Sequence, residues 1–368
     1  MRLDEVLAIL PGWFPALAAF TFGLLWGSFL NVVIYRVPRD MSVVRPASRC
    51  PGCGTPIAAY DNVPVLSYLI LRGRARCCGA RMSPRYPLVE LVGGALSLAI
   101  WQVLVLRMPA STSLAHAVAV YAAYFALCLG LVAAAFIDAE HMYLPDPITL
   151  SGIVLGIATA TLRGQSTFDS VSGAAIGFLL IWLPFIFLYK GLLGRTGMGL
   201  GDAKLVALAG AWLGWPGAVF TLLAGAVQGT VYAGALHLLG IEPKLPRAVL
   251  EDIAELEAAA AAGDEDARME LAKDPLTEDE TDAFLLRGLR RLVYGAEASA
   301  DAGPDATLPD APASVTEPEP ATEPAAATEE EPPAPPRARI PFGPFLILAM
   351  LEVVFARDWL ERVLPLWP

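Results

Sequence analysis

Charged residues are scarce in this 368-residue chain, at 17% of the sequence, whereas hydrophobic residues make up 55% and the mean hydropathy is +0.53. That composition is too apolar for a soluble enzyme of this length and is typical of a polytopic membrane protein. No basic patch with interleaved aromatic residues occurs, which argues against nucleic-acid binding. A signal-peptide cleavage pattern is also missing, and the first apolar run is long enough to remain as a membrane anchor.

Cysteines are few and unevenly placed, which excludes a disulfide framework. Cys128 lies alone in an apolar run, and the other four, Cys50, Cys53, Cys77 and Cys78, lie in one arginine-rich loop. A C-x-x-C pair followed by a second cysteine group is typical of tetrahedral zinc sites with thiolate ligands. The second group here is Cys-Cys, and adjacent cysteines project in different directions, which leaves open whether both reach the metal. Reduced free thiols are the alternative in a cytoplasmic loop.

Acidic residues are concentrated in one segment. Residues 241–339 hold 24 Asp and Glu against 9 Lys and Arg, a net charge of −15, while the rest of the chain has a net charge of +4. Residues 247–294 show helix-like patterning. Residues 295–336 are mostly Ala, Pro, Glu and Thr, too poor in large apolar side chains to bury a core. The segment is therefore predicted to be an acidic, partly disordered cytoplasmic insertion.

Long uncharged stretches predict an all-α membrane bundle of about eight transmembrane helices. Nine arginines between residues 36 and 87 place that loop in the cytoplasm by the positive-inside rule, so the N-terminus is expected outside. Alternating spans then bring Asp138, Asp202 and the acidic segment to the cytoplasmic side. The predicted spans are approximately Trp13–Tyr35, Leu88–Leu106, Leu114–Ile137, Pro147–Leu162, Val171–Leu193, two within Leu205–Ile241 divided at Trp215-Pro216-Gly217, and Ile340–Ala356.

Two aspartates stand at the ends of separate apolar segments. Asp138 ends one of them, and Asp202 follows a loop whose three glycines let the backbone turn and pack closely. Two carboxylates that meet in a low-dielectric site share a proton, so the pair can activate water and protonate a departing amine. We therefore expect Asp138 and Asp202 to hydrolyse a peptide bond at the membrane surface. The residues expected to support the second carboxylate are Gly199, Gly201 and Lys204.

The polar residues also allow other interpretations. Asp202 is a possible helix N-cap, and Asp146, which precedes a proline, is interpreted as a structural N-cap. Glu140 and His141 are expected to be exposed loop residues. Glu90 is either a snorkelling carboxylate or part of a substrate or methyl-donor site. An ion-binding transporter would also use two inward-facing carboxylates, but its polar residues should lie deeper in the membrane.

Several motifs, in order, resemble those of type IV prepilin peptidases. They are Gly23–Pro38, the cysteine loop, Arg85–Leu91, the Asp138 stretch with Leu144-Pro145-Asp146, Gly197–Leu205 and Ile340–Leu346. Presenilin-type and signal peptide peptidase-type proteases share the GxGD motif but pair it with Tyr-Asp and Pro-Ala-Leu. In this chain Asp138 follows Ile137, and the last segment has Pro-Phe-Gly-Pro instead.

The resemblance implies an aspartyl protease of the bacterial inner membrane. Such enzymes cut the short basic leader from prepilins and pseudopilins after a glycine, and many then N-methylate the new terminus with S-adenosylmethionine. The positions that match the family's catalytic aspartates are Asp138 and Asp202, and those that match its metal cysteines are Cys50, Cys53 and Cys78. The family's third cysteine position falls on Ala75, two residues before Cys77.

The acidic insertion has no counterpart in the common pattern of the family. Its charge suggests two roles, attraction of basic leaders or docking on pilus or secretion machinery, and the alternative is a solvated linker. The predicted organisation is a first transmembrane segment (1–35), a cytoplasmic Arg/Cys-rich domain (36–87), a catalytic transmembrane core (88–240), the acidic insertion (241–339) and a last transmembrane segment with its tail (340–368).

Overall fold

The computed structural model describes residues 1–193, 197–272 and 340–363. In these ranges the chain is helical and forms no strand beyond isolated bridges. The α-helices described are α1 (Leu3–Ile9), α2 (Phe14–Arg36), α3 (Leu66–Ile70), α4 (Arg85–Ala99), α5 (Leu114–His141), α6 (Asp146–Ala158), α7 (Thr167–Ile181), α8 (Tyr189–Leu193), α9 (Leu200–Leu238), α10 (Arg247–Ala261), α11 (Glu265–Ala272) and α12 (Gly343–Val363).

Several helices have the length and composition of membrane spans. Over the described residues, five helical stretches meet both criteria: Phe14–Arg39, Arg85–Val105, Leu114–His141, Thr167–Leu193 and Leu200–Leu238. Two shorter apolar helices are Asp146–Ala158 and Gly343–Ala356. The all-α, multi-pass membrane class is therefore confirmed, while the number of eight spans stays a prediction.

Helix α9 bends where the sequence predicts a division. Gly214 has φ 72° and ψ 178°, directly before the predicted Trp215-Pro216-Gly217. Glycine reaches a positive φ at little cost, and the proline that follows removes a helical N–H donor. Arg163, from the α6–α7 connection, donates to the carbonyls of Ala211 (3.3 Å) and Trp212 (2.6 Å). It thereby satisfies acceptors at the end of the first half of α9.

Helix α5 lies between two clusters of buried apolar side chains. One cluster joins α5 to α7, α9 and α12 and includes Leu208 and Met350. The other joins α5 to α2 and α4 and includes Ile34, Val89 and the solitary Cys128. The helix that carries Asp138 is therefore fixed from both sides by close packing.

Helices α7 and α9 approach until their backbones touch. A Cβ atom at Gly210 would lie 2.0 Å from the carbonyl oxygen of Gly173, and one at Gly173 would lie 2.4 Å from that of Gly210. Small residues allow this approach in membrane helices, where packing rather than hydrophobic exclusion drives association. The start of α9, which carries Asp202, is therefore positioned by a tight interface.

Helices α10 and α11 are the described beginning of the acidic segment. Helix α10 lies against α5, and Asp252 on α10 interacts electrostatically with His141 at the end of α5. The helix-like pattern expected beyond residue 272 and the expected disorder of 295–336 lie outside the described residues.

Candidate active site and metal centre

Asp138 is buried one turn before the end of α5. Its side chain is 6% exposed, and Oδ2 has no hydrogen-bond partner among the described residues. The helix ends because Met142 turns into the left-handed region (φ 57°) and donates its N–H to the Asp138 carbonyl. A carboxylate at a helix C-terminus opposes the helix dipole, and a buried acceptor without a partner needs an explanation. Both features are what a catalytic carboxylate would show.

Asp202 lies in the first turn of α9 and is partly buried. The N-cap of the helix is Gly199, in an extended conformation (φ −73°, ψ 150°). Asp202 is therefore the third helical residue, and its interpretation as the N-cap is wrong in position. Its carboxylate turns back over the Gly199 backbone. The glycine loop therefore places this carboxylate at the N-terminal end of α9.

The structure brings the two carboxylates to one place. Asp138 and Asp202 interact electrostatically with each other. Leu144, which is 8% exposed, lies between the two elements: a Cβ at Gly201 would contact the Leu144 Cβ at 3.1 Å, and one at Gly343 would contact its Cδ2 at 3.3 Å. Gly343 in turn lies against the Asp138 carboxylate. The ends of α5 and α9 thus enclose a common polar site.

Lys204 and Asp146 form an ion pair beside this site. The Lys204 Nζ lies 2.6 Å from Oδ1 of Asp146, and the two side chains are 21% and 53% exposed. Asp146 is the first residue of α6 and makes no capping hydrogen bond, because Pro145 occupies the cap position. The interpretation of Asp146 as an N-cap is therefore wrong, and its carboxylate joins the start of α6 to the start of α9.

Glu140 is not the exposed loop residue that the sequence suggested. It belongs to the last turn of α5, is partly buried, and accepts a hydrogen bond from Nη1 of Arg85 at the start of α4. His141 is also in that turn and partly buried. The partner of Glu140 lies 55 residues away in sequence, so no local pattern could have indicated the pair.

Glu90 is buried within α4 rather than snorkelling to the surface. It is 8% exposed and accepts a hydrogen bond of 2.7 Å from the Val65 backbone N–H. Its α4 backbone packs against Gly27 of α2. Glu90 therefore connects the 36–87 loop to the membrane helices, which is compatible with either a structural or a ligand-binding role.

The four loop cysteines converge. Their Sγ atoms all lie within 4.8 Å of one another, with Cys50–Cys78 at 3.6 Å and Cys53–Cys77 at 3.3 Å. Four thiolates around tetrahedral zinc, each about 2.3 Å from the metal, are separated by about 3.8 Å. The donor set and spacing therefore fit a metal ion.

Protonation differs among these thiols. The hydrogen bond with Thr55 lowers the pKa of Cys53 to about 6. Hydrogen bonds with Cys53 and, to a smaller extent, with Cys50 raise the pKa of the Cys77 thiol to about 12. Neighbouring thiolates repel one another, so a cation is needed to hold all four deprotonated.

The cluster is built from two segments, 50–55 and 75–80, that share one backbone shape. In each, the first residue donates its N–H to the carbonyl of the sixth, and the fifth donates to the carbonyl of the first, at 2.8–2.9 Å. The fifth residues, Gly54 and Gly79, have φ values of 71° and 70°. The two halves are therefore equivalent turns despite their different cysteine spacing.

This equivalence explains the irregular cysteine pattern. Ala75 stands where the first turn has Cys50, and Cys78 stands where it has Cys53. Cys77, next to Cys78, brings the missing fourth thiol into the cluster. Adjacent cysteines in this turn therefore both face the same centre.

These features define a multi-pass helical membrane protein that joins two aspartates at one end of its bundle and carries a four-cysteine loop. Residues 21–116 match the model of the bacterial peptidase A24 N-terminal domain, and residues 125–234 match that of the type IV leader peptidase family. No solved structure matches the chain.

Similar curated proteins carry the name prepilin leader peptidase/N-methyltransferase. The chain is 39% identical to one from Myxococcus xanthus over 97% of this chain and 95% of that protein. It is 38% identical to one from Pseudomonas putida (63% and 84%) and 39% identical to one from Klebsiella pneumoniae (60% and 96%). The chain therefore belongs to the type IV leader peptidase family. The first of these alignments covers nearly the whole chain and therefore includes most of the acidic insertion.

Proposed function

We propose that this protein is an aspartic endopeptidase that removes the basic leader of type IV prepilins and pseudopilins after a glycine. The observation that carries the proposal is that Asp138 and Asp202 lie close enough to interact electrostatically at one end of a helical bundle, in a member of the leader peptidase family. Family membership favours this function over an ion transporter or a presenilin-type protease. Asp138 lies in the last turn of α5 and Asp202 in the first turn of α9, and both helices are long and apolar enough to span a membrane. The dyad would therefore lie near the membrane surface, where water and a peptide segment would reach it.

The two carboxylates act as one unit in the proposed mechanism. The charged member takes a proton from a water molecule, whose oxygen then attacks the carbonyl carbon of the glycine. The protonated member donates its proton to the departing amine as the C–N bond breaks. Because the pair titrates together, neither acid nor base is assigned to one residue. Lys204, through Asp146, and the glycines at 199 and 201 hold the second carboxylate in place.

A second activity follows from the names of the relatives. We infer that the new N-terminal amine is methylated with S-adenosylmethionine, so a methyl group passes from the sulfonium to the amine nitrogen and a proton is released. The cytoplasmic 36–87 region is the part of the chain linked to this step by the resemblance. Glu90 is buried on α4 and accepts a hydrogen bond from Val65 of that region. It is the residue proposed to contact the substrate or the methyl donor.

The four-cysteine cluster is proposed to hold zinc as a structural ion. Cys50, Cys53, Cys77 and Cys78 would be its ligands. A closed set of four thiolates leaves no position for substrate, so the ion would stabilise the loop rather than take part in hydrolysis. A loop with little apolar core of its own gains folding free energy from such an ion.

The orientation follows from the arginines of the loop. We propose that the protein lies in the bacterial inner membrane with the dyad and the cysteine loop on the cytoplasmic side and the N-terminus outside. Helix α10 then begins the acidic insertion next to the dyad, with Asp252 close to His141. The insertion would attract basic leaders or dock on pilus or secretion machinery. If it is instead a solvated linker, neutralising α10 will leave KM unchanged.

The test is cleavage in membranes. A prepilin with a basic leader and a Gly-Phe junction is incubated with wild type, Asp138→Asn and Asp202→Asn in the presence of radiolabelled S-adenosylmethionine. Cleavage by wild type and by neither variant is expected, with label on the mature product. Cleavage by either variant would remove that aspartate from the mechanism, and mature product without label would remove the methyl transfer.

A further inference from the structure

Gly343, the first residue of α12, lies against the Asp138 carboxylate. A Cβ atom on Gly343 would be 2.6 Å from Oδ2 of Asp138 and 3.1 Å from its Cγ. Real Cβ atoms essentially never come within 3.0 Å of a neighbour, so even an alanine would force the carboxylate or the helix to move. Glycine is therefore the residue that leaves the carboxylate in its present position.

The carboxylate has little room to yield. Asp138 is 6% exposed, and Ala134 and Ile137 on the same turns of α5 are fully buried. The backbone of α5 is held from both sides by the apolar clusters, so a displacement would fall on the Asp138 side chain. The Gly343 backbone N–H faces that carboxylate. The start of α12 thus bounds the space in which Asp138 can meet Asp202.

One side chain, that of Leu144, lies between Gly343 and the glycine loop that precedes Asp202. Leu144 lies 3.3 Å from the position of a Gly343 Cβ and 3.1 Å from that of a Gly201 Cβ. Pushing α12 outward would therefore also disturb the contact beneath the glycine loop. Gly343 borders both halves of the site, although it lies beyond the acidic insertion in sequence.

We propose that Gly343 is a positioning residue for the dyad, holding the Asp138 carboxylate in register with Asp202 by close backbone contact. This inference rests on the proposed protease function. A displacement of about 1 Å in a catalytic group can cost about 100-fold in rate. We expect substrate binding to change little, because the added methyl group would lie against the buried Asp138 carboxylate and Leu144.

The experiment compares Gly343→Ala with Gly225→Ala in the full-length protein. Gly225 lies on α9 and faces another part of α12, where a Cβ would be 2.9 Å from Leu346 Cδ2 and 3.2 Å from its Cα. Both variants therefore crowd the packing of α12, but only Gly343→Ala crowds the carboxylate. Values of kcat and KM for prepilin cleavage, methylation of an already cleaved pilin, and the thermal unfolding midpoint are measured for each.

We expect Gly343→Ala to lower kcat by about 100-fold, with KM within about threefold of wild type and methylation of cleaved pilin retained. Gly225→Ala should lower the unfolding midpoint while the folded enzyme keeps its kcat within about threefold. If Gly343→Ala keeps the wild-type kcat, or loses cleavage and methylation together in proportion to the folded protein lost, the positioning role is wrong. Failure of the wild type to cleave would instead overturn the proposed function itself.

A second variant covers the case in which Gly343→Ala does not accumulate. Asp138→Ala removes the carboxylate that a Gly343 Cβ would meet, and the next atom, Leu144 Cδ2, is 3.3 Å away. Gly343→Ala should therefore accumulate in the Asp138→Ala background, with an unfolding midpoint close to that of Asp138→Ala itself. A double variant that also fails to accumulate, or that loses as much stability as Gly343→Ala loses in the wild-type background, would contradict the proposal.

Discussion

The membrane core and the cysteine loop are held together by opposite means. In the core, helices α7 and α9 touch at Gly173 and Gly210, and the two apolar clusters fix α5. In the described loop, large apolar side chains such as Leu69 and Ile70 are exposed. Four thiols, the Arg76–Asp61 pair and the Glu90–Val65 hydrogen bond take the place of a core there. It should therefore be possible to destabilise either region while the other stays folded.

The largest expected effect comes from adding a side chain where the backbones of α7 and α9 touch. Gly210→Ala places a Cβ 2.0 Å from a backbone oxygen that cannot rotate away, so the helices must separate. We expect a loss of about 3 kcal/mol or more, seen as a much lower unfolding midpoint in detergent. Gly234→Ala is the control, because nothing lies within 4 Å of its Cβ and alanine favours the helix by up to about 1 kcal/mol. Equal midpoints for the two variants would contradict the packing account.

Removing the proposed metal ion should destabilise the cysteine loop alone. Cys50→Ser deletes the most buried thiol of the cluster, at 3% exposed, and a chelator would remove a bound ion. We expect proteolysis between residues 37 and 84 to become at least about tenfold faster, because metal binding supplies folding free energy to such loops. The unfolding midpoint of the membrane core should stay close to that of the wild type. Joint unfolding of both regions would show that they are one cooperative unit.

Moving the proposed fourth ligand tests how the cysteine loop is held together. Cys77→Ala is expected to lower zinc content and cobalt affinity at least about tenfold, since a four-thiolate site loses one ligand. Ala75→Cys/Cys77→Ala restores the spacing of the first turn and should recover about one metal ion per chain, measured by elemental analysis and by the cobalt–thiolate absorption. Full metal content in Cys77→Ala alone would show that Cys77 is no ligand.

The smallest effect is expected at the Lys204–Asp146 pair. Its side chains are 21% and 53% exposed, and such pairs contribute about 1 kcal/mol or less. Lys204→Met and Asp146→Asn should therefore each reduce kcat by less than about tenfold, and the double variant should be no worse than either. Additive losses would indicate separate roles, such as contact of Lys204 with the substrate.

Much of this arrangement follows from the sequence because it depends on length and periodicity. Long uncharged runs and the arginine bias predict that the end of α5 and the start of α9 lie on one side of the membrane, and the cysteine spacing predicts a metal site. Apart from the pairing of the two aspartates and the grouping of the cysteines, contacts between distant segments could not be predicted. The Arg85–Glu140 pair, the Asp146 partner and the approach of Gly343 to Asp138 all depend on how the helices pack. The motif around Gly343 was visible, but only the structure shows which atom it faces.

The central claim is that Asp138 and Asp202 work as a single catalytic unit. The most direct test is single-turnover cleavage by wild type, Asp138→Asn, Asp202→Asn and the double variant, with metal content checked in each. We expect each single variant to lose at least about 1,000-fold, and the double variant to lose no more than about threefold beyond either, because residues that act as a unit are strongly non-additive. Losses that multiply in the double variant, or a single variant that still cleaves at the wild-type rate, would contradict the account.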